Sequence, residues 1–271
     1  RFHAGRTLLV DGRLLVAGTA ADPVTLLSDS STPAAQDWTG IEFHGTDPSV
    51  VEYAEVRHAT RAIDVTGGVD LDLVHVTLTE SQYGLYVYAP GPPTIDLLDS
   101  EVTANTQYGV HLSRYGSSPN PNVTIRGSAL FGNLGSYDLY SYGYDSPAEA
   151  RIDARGNWWG DAAPAVFASR IYERRQNQFS PVVDWCDYLD GPGGAPAHDI
   201  ECVDDFFVCD ETVAWTQTIR PYQLVSDLYV CPTGILQVGG GVDIRTVKAA
   251  SRPDFLVEGS LQVNGTAGAP V

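Results

Sequence analysis

The sequence contains no methionine and a single lysine, Lys248. Nowhere does an apolar run approach the ~20 residues that a membrane-spanning helix needs. Basic residues are scarce: 16 Lys and Arg stand against 34 Asp and Glu, a net charge of −18. Nucleic acid and anionic membrane surfaces both require a basic face, so neither is an expected partner. An acidic, soluble surface accounts for the charge, and a salty habitat is a weaker explanation. The missing initiator and signal peptide read as a mature or excised piece of something longer. Helical periodicity is also lacking, and Gly and Pro interrupt every stretch that could have been a long helix. Cysteine is absent until late in the chain: all four, Cys186, Cys202, Cys209 and Cys231, follow residue 185. That clustering suits disulfides and an extracellular or cell-surface location. The 271 residues suffice for one large all-β body, or a body with an appendage.

Repetition is what the chain does have. Four segments align without gaps: Val51-x-x-Ala54-x-Val56-x-x-Ala59, Leu73-x-x-Val76-x-Leu78-x-x-Ser81, Leu97-x-x-Ser100-x-Val102-x-x-Asn105 and Ile125-x-x-Ser128-x-Leu130-x-x-Asn133. Their shared positions Val56, Leu78, Val102 and Leu130 are 22, 24 and 28 residues apart. A self-similar unit of 20–30 residues is the signature of a solenoid, and alternating apolar residues mark strands with one buried face. A β-sandwich would also give short strands, but not a match register by register. The unit is therefore one coil of a β-helix, with Leu73, Leu78, Leu97, Val102, Ile125 and Leu130 expected to face inward. Asn105 and Asn133 share a place in successive coils, and Asn157 is expected on the next rung. Such amides can hydrogen-bond up a ladder, and Asn tolerates tight corners. Tyr83-Gly84-Leu85 and Tyr108-Gly109-Val110 open the following strands.

Two motifs carry a family resemblance. Leu14-Leu15-Val16-Ala17-Gly18-Thr19, then Pro23-Val24 and Trp38-x-Gly40-Ile41, resembles the opening coils of parallel β-helix proteins of microbial surfaces. Gly156-Asn157-Trp158-Trp159-Gly160 is similar to the motif that closes the regular coils in that group. The resemblance spans residues 7–183 and implies an all-β, right-handed, single-stranded parallel β-helix of the pectin-lyase type. It implies no activity, because this fold hosts enzymes, adhesins and repeat modules alike. Trp158 and Trp159 read as an end plug, or alternatively as a sugar-stacking platform. Tyr137, Tyr140, Tyr142 and Tyr144 form a candidate ligand or partner surface, with a coil edge packing its own rings as the plainer alternative.

The division expected is a β-helix body over 1–183, a Cys/Asp-rich insert or linker over 184–219, and a β segment over 220–271. Four cysteines allow three pairings, among them Cys202 with Cys209 and Cys186 with Cys231, and the spacing does not choose. Cys-x-x-Cys pairs typical of zinc sites are missing. Asp184, Asp187, Asp190, Asp204 and Asp205, with Asp210, are candidate Ca²⁺ ligands, set against a merely solvated acidic surface, since no known Ca²⁺-loop pattern is present. No other cofactor is implied.

The end of the chain repeats its start. Residues 255–271 match residues 8–24 at 10 of 17 positions without a gap, at an offset of 247. Leu9, Val10, Leu14 and Val16 correspond to Leu256, Val257, Leu261 and Val263. The internal coils match one another far less well, so this reads as the start of a long repeat. A catalytic constellation is not legible: Arg57, His58, Arg61, His75 and His111 lie near coil corners or faces with no enzymatic motif. Expected, then, is a structural module of a surface protein or fibre that meets copies of itself end to end. Polysaccharide binding is the alternative, and a lyase or hydrolase comes third.

Overall fold

The computed structural model describes residues 1–271 except 148–149, 175, 186, 197–200, 204–206, 217–221, 225–226, 247–253 and 271. It comprises two compact units, residues 1–196 and 197–271. Both are parallel β-solenoids, and helix among the described residues is confined to one short turn, Pro164–Phe167, continued as a 3₁₀ turn.

In the first unit the first five coils place strands in three sheets, and the last two in the first and second sheets only. The first sheet stacks seven strands: Thr7–Val10, Gly40–Phe43, Arg61–Val65, Tyr83–Ala89, Tyr108–Arg114, Tyr137–Tyr142 and Ile171–Tyr172. A second sheet runs in seven strands from Leu15–Ala17 to Val182–Asp184, and a third in five from Val24–Leu26 to Ala129–Phe131. Every strand pairs in parallel with its counterpart one coil away, as in Leu73, Leu97 and Ile125 on the second sheet and Val56, Leu78, Val102 and Leu130 on the third. The inward residues therefore stack in columns, and the six apolar positions expected inside are 0% exposed. Each such Leu or Ile contributes about 1.5–3 kcal/mol by leaving water.

The gap-free alignment has a structural cause. The corners on either side of the third sheet are each turned by one residue of positive φ. Tyr53, His75 and Asp99 do so at one corner, and His58, Glu80 and Ala104 at the other, all between 47° and 63°. A one-residue corner leaves no room for insertion, so the coils lengthen elsewhere. Small polar side chains beside these corners satisfy backbone donors of the coil before. The Ala59 N–H donates to Ser81 Oγ, the Ser81 N–H to Asn105 Oδ1, and Asn105 Nδ2 to Asn133 Oδ1 at 2.9 Å. Asn157 does not join this column. It ends the parallel one: the Val76 N–H donates to Ser100 Oγ, the Ser100 N–H to Ser128 Oγ, and the Ser128 N–H to Asn157 Oδ1.

The glycines of Tyr83-Gly84 and Tyr108-Gly109 serve the same corner. A Cβ at Gly109 would lie 2.7 Å from Asn133 Nδ2, so any side chain there would dislodge the ladder. One coil later, where no further Asn follows, the equivalent residue is Asp138. Its carboxylate takes the amide's place and accepts from Asn133 Nδ2 at 2.7 Å.

The second unit has three sheets of three parallel strands. Its first coil, Glu201–Val203, Phe207–Val208 and Thr212–Trp215, is built from residues that composition marks as an insert. Val208, Trp215, Tyr222, Leu224, Leu228, Val230, Leu236 and Val238 form its core. Cys209 and Cys231 are disulfide-bonded with Cα atoms 4.9 Å apart, and they occupy equivalent places in consecutive coils. This pairing is neither of the two singled out from the sequence. Closing a loop of 22 residues in the unfolded chain is worth about 3 kcal/mol on the chain-entropy view. Cys186, and the side chain of Cys202, lie outside the described residues.

Candidate functional site

The outer face of the first sheet of unit 1 carries an aromatic ladder. Tyr83, Tyr108 and Tyr137 are in register in one row, and Asp64, Tyr86, His111, Tyr140 and Tyr172 in the next. In the second row the rings lie face to face. Tyr86 and His111 have centroids 4.4 Å apart, His111 and Tyr140 5.0 Å, and Tyr140 and Tyr172 4.6 Å. These spacings follow from the ~4.8 Å separation of neighbouring strands. The outer face of Tyr86 is covered by Arg61, whose Cζ sits 3.9 Å from the ring centroid. Nη1 of Arg61 in turn donates to Asp64 at 2.8 Å. Burial raises the Asp64 carboxyl, a lift that the Arg61 hydrogen bond only partly offsets, and against its own burial the Arg61 guanidinium is raised by that bond and by the Asp64 charge. The 2.8 Å contact is a charge-assisted pair.

From the sequence only Tyr137 and Tyr140 of this ladder are singled out as a candidate ligand or partner surface. Tyr83 and Tyr108 are read only as strand openings and His111 only as a corner or face residue, and Tyr86 and Tyr172 are missed, although Tyr-Gly-Leu-Tyr, Tyr-Gly-Val-His and Tyr-Asp-Leu-Tyr stand at one place in three successive coils. Tyr144 is buried, and burial pushes its hydroxyl far up. Tyr142 is 40% exposed, as are Tyr88 and Tyr115, at 41% and 46%. Within the second row, by contrast, neighbouring rings cover one another's faces. A sugar ring stacks on an exposed aromatic face; among the described tyrosines Tyr88, Tyr115 and Tyr142 are the most exposed, and Tyr88 and Tyr115 pack on each other with centroids 4.9 Å apart and ring planes inclined by 56°.

Burial, with Arg61 nearby, brings the His111 imidazole down to about 4. Burial among its tyrosine neighbours also pushes the Tyr140 hydroxyl up to about 12. His111 therefore stacks as a neutral ring. Between pH 4 and 6.5 the unfolded chain binds more protons at this residue than the folded one. Its contribution is then complete above pH 6.5 and is lost as pH falls toward 4, by about 3 kcal/mol at most. His111→Phe keeps the stack without the proton. Urea titrations from pH 4 to 7 should show the variant losing less stability on acidification than the parent. Parallel curves for the two proteins would refute this assignment.

Other residues picked from the sequence are placed as follows. Trp159 is 2% exposed and packs with Phe167, which also contacts Trp185 and Tyr188, beside the last strands of unit 1. Trp158 is half-buried and extends the third sheet through a bridge to Ala129. Asp184 is buried against Arg155 at 3.2 Å, Asp190 accepts from the Ala195 N–H, and Asp187 is exposed. Asp204 and Asp205 lie outside the described residues. Among the described residues no three His, Cys, Asp or Glu side chains gather where they could hold a metal ion. Arg57 pairs with Glu80 at 2.5 Å, His58 contacts the same carboxylate, and His75 stacks on Tyr53. No helix of the described residues is long and apolar enough to cross a membrane.

The duplicated segments form the second notable surface. Residues 7–17 supply the first strands of unit 1, and residues 255–264 the last strands of unit 2. Both continue into the same turn: Thr19 and Asp22 exchange backbone hydrogen bonds, as do Thr266 and Ala269, and each Thr Oγ1 accepts a further backbone N–H. Both leave apolar side chains in water. Leu9 and Leu15 are 50% and 59% exposed, and Phe255, Leu256, Leu261 and Val263 are 38%, 55%, 40% and 54% exposed. Val10 is buried, whereas Leu14, Val16 and Val257 are half-buried. No protein-family model, curated protein or solved structure matches this chain.

Proposed function

We propose that the chain is a structural module of an extracellular surface protein or fibre, in which copies stack end to end through their β-helix coils. The observation that carries this reading is the duplication. Residues 8–24 and 255–271 share 10 of 17 positions and fold into the same turn with the same hydrogen bonds. The Cys209–Cys231 disulfide supports an oxidising compartment. The Gly-Asn-Trp-Trp-Gly motif supports the pectin-lyase variety of the fold. Contacts between unlike ends that do not close a ring extend into filaments.

Electron microscopy of native material should show rods. Each coil contributes about 4.8 Å to their length. Discrete monomers in native preparations, with a full-length gene carrying a single copy of the unit, would sink the proposal. A second reading, polysaccharide binding, rests on the exposed rings of Tyr88, Tyr115 and Tyr142. Against a net charge of −18 it favours neutral over anionic glycans, and a glycan array separates the two.

A further inference from the structure

The two copies of the duplicated segment are covered on opposite sides. In unit 1 the copy has a following coil: Leu9 pairs with Glu42, Val10 with Phe43 and Val16 with Val51. In unit 2 the copy has a preceding coil: Leu256 pairs with Tyr229, Val257 with Val230, Leu261 with Leu236 and Val263 with Val238. Each copy therefore displays the neighbour that the other lacks. Leu236, Val238 and Val230 are buried core residues, so Leu261, Val263 and Val257 are inward-facing. Leu261 and Val263 are exposed, and their strand, Ser260–Asn264, is the outermost of its sheet among the described residues.

We infer that the first coil of unit 1 is a docking edge for the coil formed by residues 228–239 of a preceding copy of the same repeat. The register is the one that residues 255–264 already adopt. Tyr229 then lies opposite Leu9, Val230 opposite Val10, Leu236 opposite Leu14, Gln237 opposite Leu15 and Val238 opposite Val16. By the same rule the open face of residues 255–264 receives a coil equivalent to 40–52, with Phe43 over Val257 and Val51 over Val263. The inference rests on the end-to-end reading and deepens it by naming the partner strands.

Three further observations favour this occupant. The first coil of unit 1 presents unpaired backbone groups on its outer side, and such an edge templates another strand. Residues 228–239 contain no charged side chain, and the facing segment 8–17 carries one of each sign, Asp11 and Arg13. No like charges are therefore opposed at the junction, despite the acidity of the chain as a whole. A slip of one residue would set the inward-facing Leu236 and Val238 of one copy against the outward-facing Leu15 and Ala17 of the next, so the register is strongly specified.

The test is a tandem protein in which residues 1–254 run directly into residues 8–271 of a second copy, compared with the single chain. In the single chain Gln237 and Gln262 are stacked neighbours, Nε2 to Oε1 3.1 Å, so Gln237→Cys with Gln262→Cys is the positive control for oxidative crosslinking. In the tandem, Gln237→Cys in the first copy with Leu15→Cys in the second should crosslink to the same extent. The pair displaced by two residues along the same face, Gln237→Cys with Ala17→Cys, should crosslink at least tenfold less. Without the cysteines, amides 8–10 and 14–17 of the second copy should exchange at least tenfold more slowly than in the single chain. Preferred crosslinking of the displaced pair, with slow exchange, would overturn the register and leave end-to-end stacking standing. Unchanged exchange and no crosslink in either pair, or a tandem that fails to fold where the single chain folds, would overturn both.

Discussion

Arg170→Ala is expected to destabilise unit 1 by about 2–4 kcal/mol: the Asp138 carboxylate is buried but the Arg170 side chain is 32% exposed, so the loss falls between that of a surface pair and that of a fully buried one. The Asp138 side chain is 1% exposed and ends the ladder that runs from Ser81 through Asn105 and Asn133. Arg170 is its counter-charge: Nε reaches Oδ2 at 2.5 Å and Nη2 reaches Oδ1 at 3.1 Å. Nη2 also caps the Asn133 carbonyl at 2.6 Å. Without the guanidinium an uncompensated carboxylate stays in a dry corner, and the ladder amides lose their anchor. Urea denaturation should show the loss, and hydrogen exchange should show reduced protection at Asn105 and Asn133. Arg170→Ala with Asp138→Asn should recover part of it, because the amide oxygen still accepts from Asn133 without a charge to desolvate. A loss under about 1 kcal/mol for the single variant would mean that water replaces the arginine.

Leu97→Ala should cost about 2–5 kcal/mol, toward the upper end of that range. Leu97 is 0% exposed and stacks between Leu73 and Ile125 in one column. In most cores part of such a cavity is lost when neighbours lean in. Here the strands above and below are held at fixed spacing by ladder hydrogen bonds along the whole sheet, so collapse is restricted. Asp96→Ala, one residue away on the outer face, should stay within about 0.5 kcal/mol. Equal midpoints for Leu97→Ala and the parent in urea would show that the column repacks.

How much of this was legible depends on the distance over which each feature is specified. The coil is a local pattern. Alternation places Leu73, Leu97 and Ile125 inside, and a constant nine-residue segment aligns because its corners turn on single residues such as His75 and Asp99. The aromatic ladder was half legible, since Tyr137 and Tyr140 are close in sequence. Tyr86, His111 and Tyr172 are 25 and 61 residues apart and meet only because parallel pairing puts them in one row. Asn157 shows the opposite failure. Its residue type suggested the Asn105 column, but two coil corners need the same backbone donors satisfied, and the register put it in the serine column.

Alone, the sequence determined the parallel solenoid, the inward columns and the duplication, because strand period and coil period are written residue by residue and need no knowledge of partners. Only the tertiary structure decided the rest. It chose Cys209–Cys231 among the pairings, since a disulfide needs two Cα atoms within about 7 Å, and stacking of consecutive coils brings these to 4.9 Å. It folded Glu201–Val203, Phe207–Val208 and Thr212–Trp215, which composition marks as an insert, into the first coil of a second solenoid, because edge pairing with Tyr222–Leu224, Leu228–Val230 and Ile235–Gly239 outweighs weak local propensity. It neutralised Arg57 and Arg61 by placing Glu80 and Asp64 within hydrogen-bond reach, an arrangement that exists only once coils 22 residues apart lie side by side or a strand brings its own outward residues together.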